Sequence, residues 1–286
     1  MGSIPTSGTS TEFLAGGLDH TSPVPGSAPL DVLPLWALFA ALLLGNLLLG
    51  EGGFHLGRLR ARRPSRESDG AVAAIVGAQL GLLAFLLAFS FGIAASRFDL
   101  RRHVLLDEAN AIGTTYLRAA MLPPAQTAPV RQLLREYADA RLQATKDRPI
   151  DQVLRRSEEI QQQLWAEATA AAGQDVRSVP TGLFIQALNE LIDLHAARVM
   201  ATLGNRMPLP VWIVLFAIGL LSFFTMGYQA GLTRASRSPA AIVLAVTFVS
   251  VIWLVADLDR PTEGFLRVSQ TPMIDVQKMM HDSASR

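Results

Sequence analysis

The sequence predicts an all-α integral membrane protein: four transmembrane helices, with a helical extramembrane insert between the second and the third. Three observations predict it. Half of the 286 residues are hydrophobic, and the mean hydropathy of +0.30 lies above that of ordinary soluble domains. Four long stretches contain no Asp, Glu, Lys, Arg or His, and each comes close to or exceeds the roughly 20 apolar residues that cross about 30 Å of hydrocarbon. Between the second and third stretches Ala, Leu, Gln and Arg dominate, all favourable in helices.

Residues 1–31 contain no Lys or Arg and are rich in Ser, Thr, Gly and Pro. They read as a disordered N-terminal tail and lack the basic start of a signal peptide. Met1-Gly2-Ser3-Ile4-Pro5-Thr6 fits the loose myristoylation pattern, although four spans need no lipid anchor. The first two spans, 32–50 and 71–95, occupy residues 32–96. The insert covers residues 97–207. Pro123-Pro124, Pro149, Gly173, Pro180 and Pro208 break it into four helices, at about 97–121, 128–146, 150–172 and 180–206, with Pro129 and Pro180 in first turns.

No breaker separates the second span from the first insert helix. Residues 71–121 therefore make one rod of about 75 Å at ~1.5 Å per residue. In the last insert helix Phe184, Leu188, Leu191, Ile192, His195 and Val199 share a face; in the first, Leu105, Ala109, Ile112 and Tyr116 do. Stripes of this kind imply packing against one another or against other subunits. The third and fourth spans, 211–231 and 240–256, occupy residues 208–257. Residues 258–286 form a C-terminal tail with a short amphipathic helix.

Basic residues in short loops set orientation. Arg58, Arg60, Arg62, Arg63 and Arg66 follow the first span, and Arg234 and Arg237 join the third to the fourth. This places both loops in the cytoplasm of a multi-pass plasma (inner) membrane protein, and the insert on the extracytoplasmic side. Arg97, Arg101 and Arg102, after the second span, count the other way.

The net charge of +1 implies no nucleic-acid partner. Without cysteine there is no disulfide, thiolate metal site or cysteine nucleophile. The five histidines show no metal-ligand spacing, and no phosphate loop, nucleophile elbow or zinc-hydrolase motif is present. The expectation is no enzyme, no catalytic residue, no cofactor and no bound metal.

Gly77, Gly81, Phe85, Phe89, Ile93 and Arg97 recur every four residues. As a pore face, Phe85 and Phe89 form a neck that gates by dewetting, with Gly81 beside it, and Arg97 draws anions to the mouth. As a packing face, Gly77-x-x-x-Gly81 lets backbones approach. An oligomer accommodates both readings. Gly227 and Gly231 repeat the small-residue spacing in the third span and read as packing. Asp99, Arg101, Arg102, His103, Asp107 and Glu108 make a charged collar. It is either a solvated, ion-paired face or an ion vestibule built on Arg97, Arg101 and Glu108. Asp257, Asp259 and Glu263, with Arg260, follow the fourth span. They form a paired polar helix end before Pro261, or a cation site of oxygen ligands without a recognised calcium-loop spacing.

The stretch AFLLAFSFGIAASRFDLRRHVLLDEANAIGTTYLR, residues 84–118, resembles the bestrophin-like domain family of largely uncharacterised four-span bacterial proteins. The match rests on Glu108-Ala109-Asn110-Ala111-Ile112, Tyr116-Leu117-Arg118 and Leu122-Pro123. It returns after span four in Asp257-Leu258-Asp259-Arg260-Pro261, Gly264 and Arg267-Val268-Ser269. It covers about residues 32–275. The resemblance implies, from true bestrophins, a pentameric anion channel with an apolar neck on span two. Neck residues there stand eight and twelve positions before an arginine at the span's end, which from Arg97 gives Phe89 and Phe85. Gly81 replaces the bulky residue usual four positions earlier. The resemblance also implies an acidic calcium-binding run after span four, where this chain has only Asp257, Asp259 and Glu263, and a cytosolic insert, opposite to the arginine count.

Three functions stay open at this point. The first is a homo-oligomeric pore for small ions, anions preferred, whose partners are the lipid bilayer and further copies of the chain. The second is a membrane-anchored sensor or scaffold with a helical binding domain and no pore. The third, an ion-coupled transporter, is disfavoured because the spans hold no ionisable residue, only Asn46, Gln79 and hydroxyls.

Overall fold

Apolar runs become helices wherever neither proline nor a polar turn stops them. The computed structural model describes residues 33–62, 69–143, 150–236, 238–261 and 264–283. Along these residues run eight α-helices: α1 Leu35–Arg60, α2 Asp69–Ala119, α3 Pro124–Gln143, α4 Ile150–Gln174, α5 Val179–Val199, α6 Leu209–Leu232, α7 Pro239–Asp259 and α8 Thr271–Asp282. A π-helical turn, Met200–Gly204, follows α5. Helices α1, α2, α6 and α7 are long and apolar enough to cross a membrane. The expectations for residues 1–31, and those for Arg63, Arg66, Arg237 and Glu263, lie outside the described residues.

Starts and stops follow local chemistry. Ser178 caps α5 by accepting the Thr181 N–H at 3.3 Å, with Pro180 in the first turn. Ser238 caps α7 the same way through the Ala240 N–H at 3.2 Å. Three boundaries differ from expectation. α5 gives way to the π-helical turn after Val199 instead of running to 206. α1 runs ten residues past the apolar stretch, to Arg60, with Arg58 and Arg60 in a last turn that favours positive charge. α3 begins at Pro124 rather than 128, because Pro124 suits a first turn, and Pro129 therefore lies inside the helix.

Two cores share one helix. In the insert, Ile112 and Tyr116 of α2 pack with Leu134, Ile160, Leu164, Phe184, Leu188 and Leu191, and α8 closes the bundle with Met273 and Met280. The amphipathic tail helix thus belongs to the insert bundle. In the membrane, Leu83, Leu87 and Ala94 of α2 pack with Trp212, Leu215, Val249, Ile252 and Val255. α2 is unbroken over 51 residues, so it carries one core into the other.

The tightest packing in the membrane is between α1 and α6. A Cβ built on Gly227 would lie 1.9 Å from the Gly50 carbonyl oxygen. One on Gly231 would lie 2.2 Å from that of Phe54. From the other side, Gly53 and Gly57 would meet the Phe224 and Tyr228 carbonyls at 2.1 and 2.2 Å. Only residues without a Cβ let these backbones touch.

Candidate functional site

α2 has a committed side and a free side. In the membrane, Leu83, Leu87, Ser90 and Ala94 are buried. Gly81, Phe85, Phe89, Gly92 and Ser96 are exposed, Phe85 by 67% and Phe89 by 62%. A Cβ on Gly77, Gly81 or Gly92 would meet nothing within 4 Å. The free side continues beyond the apolar run through Asp99, His103, Asp107, Asn110 and Thr114, all exposed. One uncovered strip therefore runs from hydrocarbon to water along a single rod.

Arg97 stands at the edge of that strip, bordering a surface groove with Phe89, Gly92 and Ser96, and not on its centre line. A helix turns about 100° per residue, so a four-residue repeat drifts by about 40° at each step. Three steps from Phe85 bring Arg97 about 120° round the rod. There its Nη1 lies 3.7 Å from Asp259 Oδ1. Asp259 Oδ1 also accepts the Met207 N–H at 2.9 Å, and Oδ2 accepts Arg206 Nε at 3.2 Å. Arg101 is buried and donates Nη2 to the Leu258 carbonyl. The expected vestibule set is thus split. Asp99, Arg102, His103 and Asp107 are exposed, whereas Arg101 and Glu108 face the protomer interior, on the other side of the rod from Phe85 and Phe89.

The residues after α7 are used inside the chain. Asp257, wholly buried, accepts the Phe265 and Leu266 N–H groups at 2.8 and 2.9 Å. This folds the strap back over the helix end. Gly264 makes the turn at φ 119°, where a Cβ would come within 2.3 Å of Asp257 Oδ1. Arg260 donates to the Leu33 carbonyl. The two described carboxylates thus serve different partners. Among the described residues no group of three His, Cys, Asp or Glu side chains is placed to hold a metal ion.

Glu108 centres a buried polar cluster in the insert. It has no exposed surface; Arg141 Nε lies 3.0 Å from Oε1, and Arg198 Nη1 lies 2.5 Å from Oε2. Tyr137 donates its hydroxyl to Oε1 at 2.8 Å and stands 3.1 Å from His195 Nδ1. Burial pushes the Glu108 carboxyl upward, but the two guanidiniums and the hydrogen bonds from Arg198 and Tyr137 outweigh it and hold it below the usual carboxylate range. Burial, then the negative charge of Glu108, raises the Tyr137 phenol well above its ordinary value. Burial first, then Arg141, lowers His195 to about 4, so it is neutral at pH 7.

Sequence reading placed His195 on an apolar stripe and passed over Tyr137, Arg141 and Arg198. The signal is present. Phe184, Leu188, Leu191, His195 and Arg198 follow one helical face, and so do Val130, Leu134, Tyr137 and Arg141. Each face ends in an arginine at a core position, and such a charge needs a buried partner.

The bestrophin-like domain model matches residues 37–273. No curated protein matches. Several solved structures share the fold. One mutant of a bacterial bestrophin homologue from Klebsiella pneumoniae superposes with a TM-score of 0.64 at 15% identity, covering 86% of this chain and 99% of that one. A second mutant of that homologue gives 0.66 at 14% identity, covering 89% and 99%. A structure described only as a membrane protein gives 0.62 at 16%, covering 87% and 99%.

Proposed function

The chain belongs to the bestrophin-like domain family, and from that membership we propose that it is a homo-oligomeric ion channel whose conduction path runs along the free side of α2. One observation carries the reading: Phe85 and Phe89 stand exposed on an uncovered strip that continues without a break into polar residues outside the membrane. A merely lipid-facing helix has no need of three glycines on its exposed side, nor of a strip that keeps its register into Asp99, His103 and Asp107. Gathering copies about an axis supplies both needs. The glycines let neighbouring rods approach, and the phenyl rings close a hydrophobic neck that gates by dewetting.

Family membership supports small anions as the permeant species. A specific observation supports a second reading of selectivity. Arg101 turns inward and Arg97, at the edge of the strip, pairs with Asp259, which leaves Asp99 and Asp107 with His103 on the strip. A mouth lined by acidic residues concentrates cations. The sign of the reversal potential in a salt gradient separates the two.

The channel is tested by reconstituting purified oligomer in planar bilayers. Wild-type protein is expected to conduct, and Phe89→Ala to raise unitary conductance by about twofold or more by widening the neck. Intact oligomer that stays silent across pH and calcium, while a partner co-purifies with the insert, would instead establish the anchored scaffold.

A further inference from the structure

Asp259, buried at the end of α7, serves three partners unequally. Oδ1 accepts the Met207 N–H at 2.9 Å, and Oδ2 accepts Arg206 Nε at 3.2 Å. These bonds tie α7 to the chain entering α6 and give each carboxylate oxygen a donor. Arg97 comes third. Its Nη1 stops 3.7 Å from Oδ1, beyond the roughly 2.7–3.2 Å of an N–H···O hydrogen bond. That nitrogen is buried and hydrogen-bonds to none of the described residues. Charge alone holds Arg97 here, and Asp259 keeps its hydrogen bonds without it.

The rest of the Arg97 side chain is not enclosed; 24% of it is exposed. It borders the groove made with Phe89, Gly92, Ile93 and Ser96, and Phe89, Gly92 and Ser96 belong to the free side of α2. A Cβ on Gly92 would meet nothing within 4 Å, so the protomer leaves room there. A long flexible stem lets an arginine lie along apolar surface and carry its charged head to water. One guanidinium thus has two resting places: inward at Asp259, or outward in the groove beside Phe89.

We infer that Asp259 is a positioning residue for ion selectivity: it holds the Arg97 charge off the conduction strip, and without its carboxylate that charge turns into the groove beside Phe89 and favours anions. The inference rests on the channel reading of α2. A fixed positive charge beside a narrow path with low-dielectric walls concentrates anions and repels cations. With Arg97 held inward, Asp99 and Asp107 set the sign at the mouth. With Arg97 released, a positive charge stands between them and the phenyl neck.

The test reads reversal potentials of full-length oligomer in planar bilayers under a potassium chloride gradient. Asp259→Asn keeps an acceptor for the Met207 N–H but loses the charge. It should raise the chloride-to-potassium permeability ratio about threefold or more over wild type. Adding Arg97→Gln should abolish the rise, whereas an effect of general damage, or one acting through Arg206, would persist. Arg97→Glu, which Asp259 repels, serves if Asp259→Asn misfolds; it should lower the ratio about threefold or more. A second readout needs no current. Phenylglyoxal, an arginine-selective dicarbonyl followed by mass spectrometry of peptides, should modify Arg97 several-fold faster in Asp259→Asn than in wild type, with buried Arg141 unchanged. Silence of every variant in bilayers defeats the channel reading, and the hold on Arg97 then stands or falls on that reactivity. The inference is overturned if folded Asp259→Asn leaves the permeability ratio or Arg97 reactivity at the wild-type value, if its shift survives Arg97→Gln, or if Arg97→Glu leaves the ratio unchanged.

Discussion

Replacing Gly227 by alanine puts a methyl group 1.9 Å from the Gly50 carbonyl oxygen. Real Cβ atoms essentially never come closer than 3.0 Å to such an atom, so the two must part by at least about 1.1 Å, the difference between the two distances. The neighbour is backbone, which no rotamer change can move aside. The displacement cannot stay local either, because Gly231, Gly53 and Gly57 hold the next turns at 2.1 to 2.2 Å. A gap of 0.5–1 Å forfeits about a quarter to a half of each dispersion contact, and overpacked cores lose about 1–3 kcal/mol. A backbone clash at the centre of a helix pair belongs at the upper end, about 3 kcal/mol. For a chain of this size that lowers the thermal midpoint by roughly 6–12 °C, readable from the folded fraction of detergent-solubilised protein on heating. Gly52→Ala is the matched control, on α1 beside Gly53 but with nothing within 4 Å. A wild-type midpoint for Gly227→Ala would refute the close crossing.

Acid should act through His195. An unfolded histidine has a pKa near 6.5, whereas the fold holds His195 at about 4. The unfolded chain therefore takes up the proton first, and stability falls as pH drops from 6.5 toward 4. Between pH 7 and 5 the loss is about 2 kcal/mol, and denaturant titrations of His195→Gln should lack that part of the slope. Glu108 is held below the usual carboxylate range, so its own contribution is lost only at lower pH. Glu108→Gln leaves Arg141 and Arg198 buried without their countercharge and should cost about 3 kcal/mol or more in the same assay, whereas Glu190→Gln, at an exposed position, should be neutral. Because the chain has no cysteine, label found on the purified chain after treatment of intact cells reports the introduced cysteine alone. The arginine count expects a cysteine at exposed Trp165 to react with an impermeant reagent; labelling of one at Arg62 instead would put the insert in the cytoplasm.

Much of this architecture is legible in the residues. The spans stand out because charge is absent from them, and the unbroken α2 follows from the lack of any proline or turn cluster between 71 and 121. What a list of spacings obscures is rotation. Phe85 and Arg97 share a four-residue repeat yet stand about 120° apart on the rod, which is why the expected vestibule divides. Glu108 looks like collar charge in its own helix. Its partners Arg141 and Arg198 arrive 33 and 90 residues later, from helices whose packing no local pattern fixes. The spacing of Gly227 and Gly231 announces close packing, but of their partners only Gly50 falls within the first apolar run; Phe54 and Gly57, which meet Gly231, lie beyond its end.

The central claim is that the free side of α2 faces a conducting path. A cysteine scan of residues 83–96, read as block of bilayer current by a thiol-reactive cation and a thiol-reactive anion, tests it most directly. The account predicts block at 85, 89, 92 and 96 and none at 83, 87, 90 or 94. Block centred on the buried side, or currents that no position alters, would contradict it.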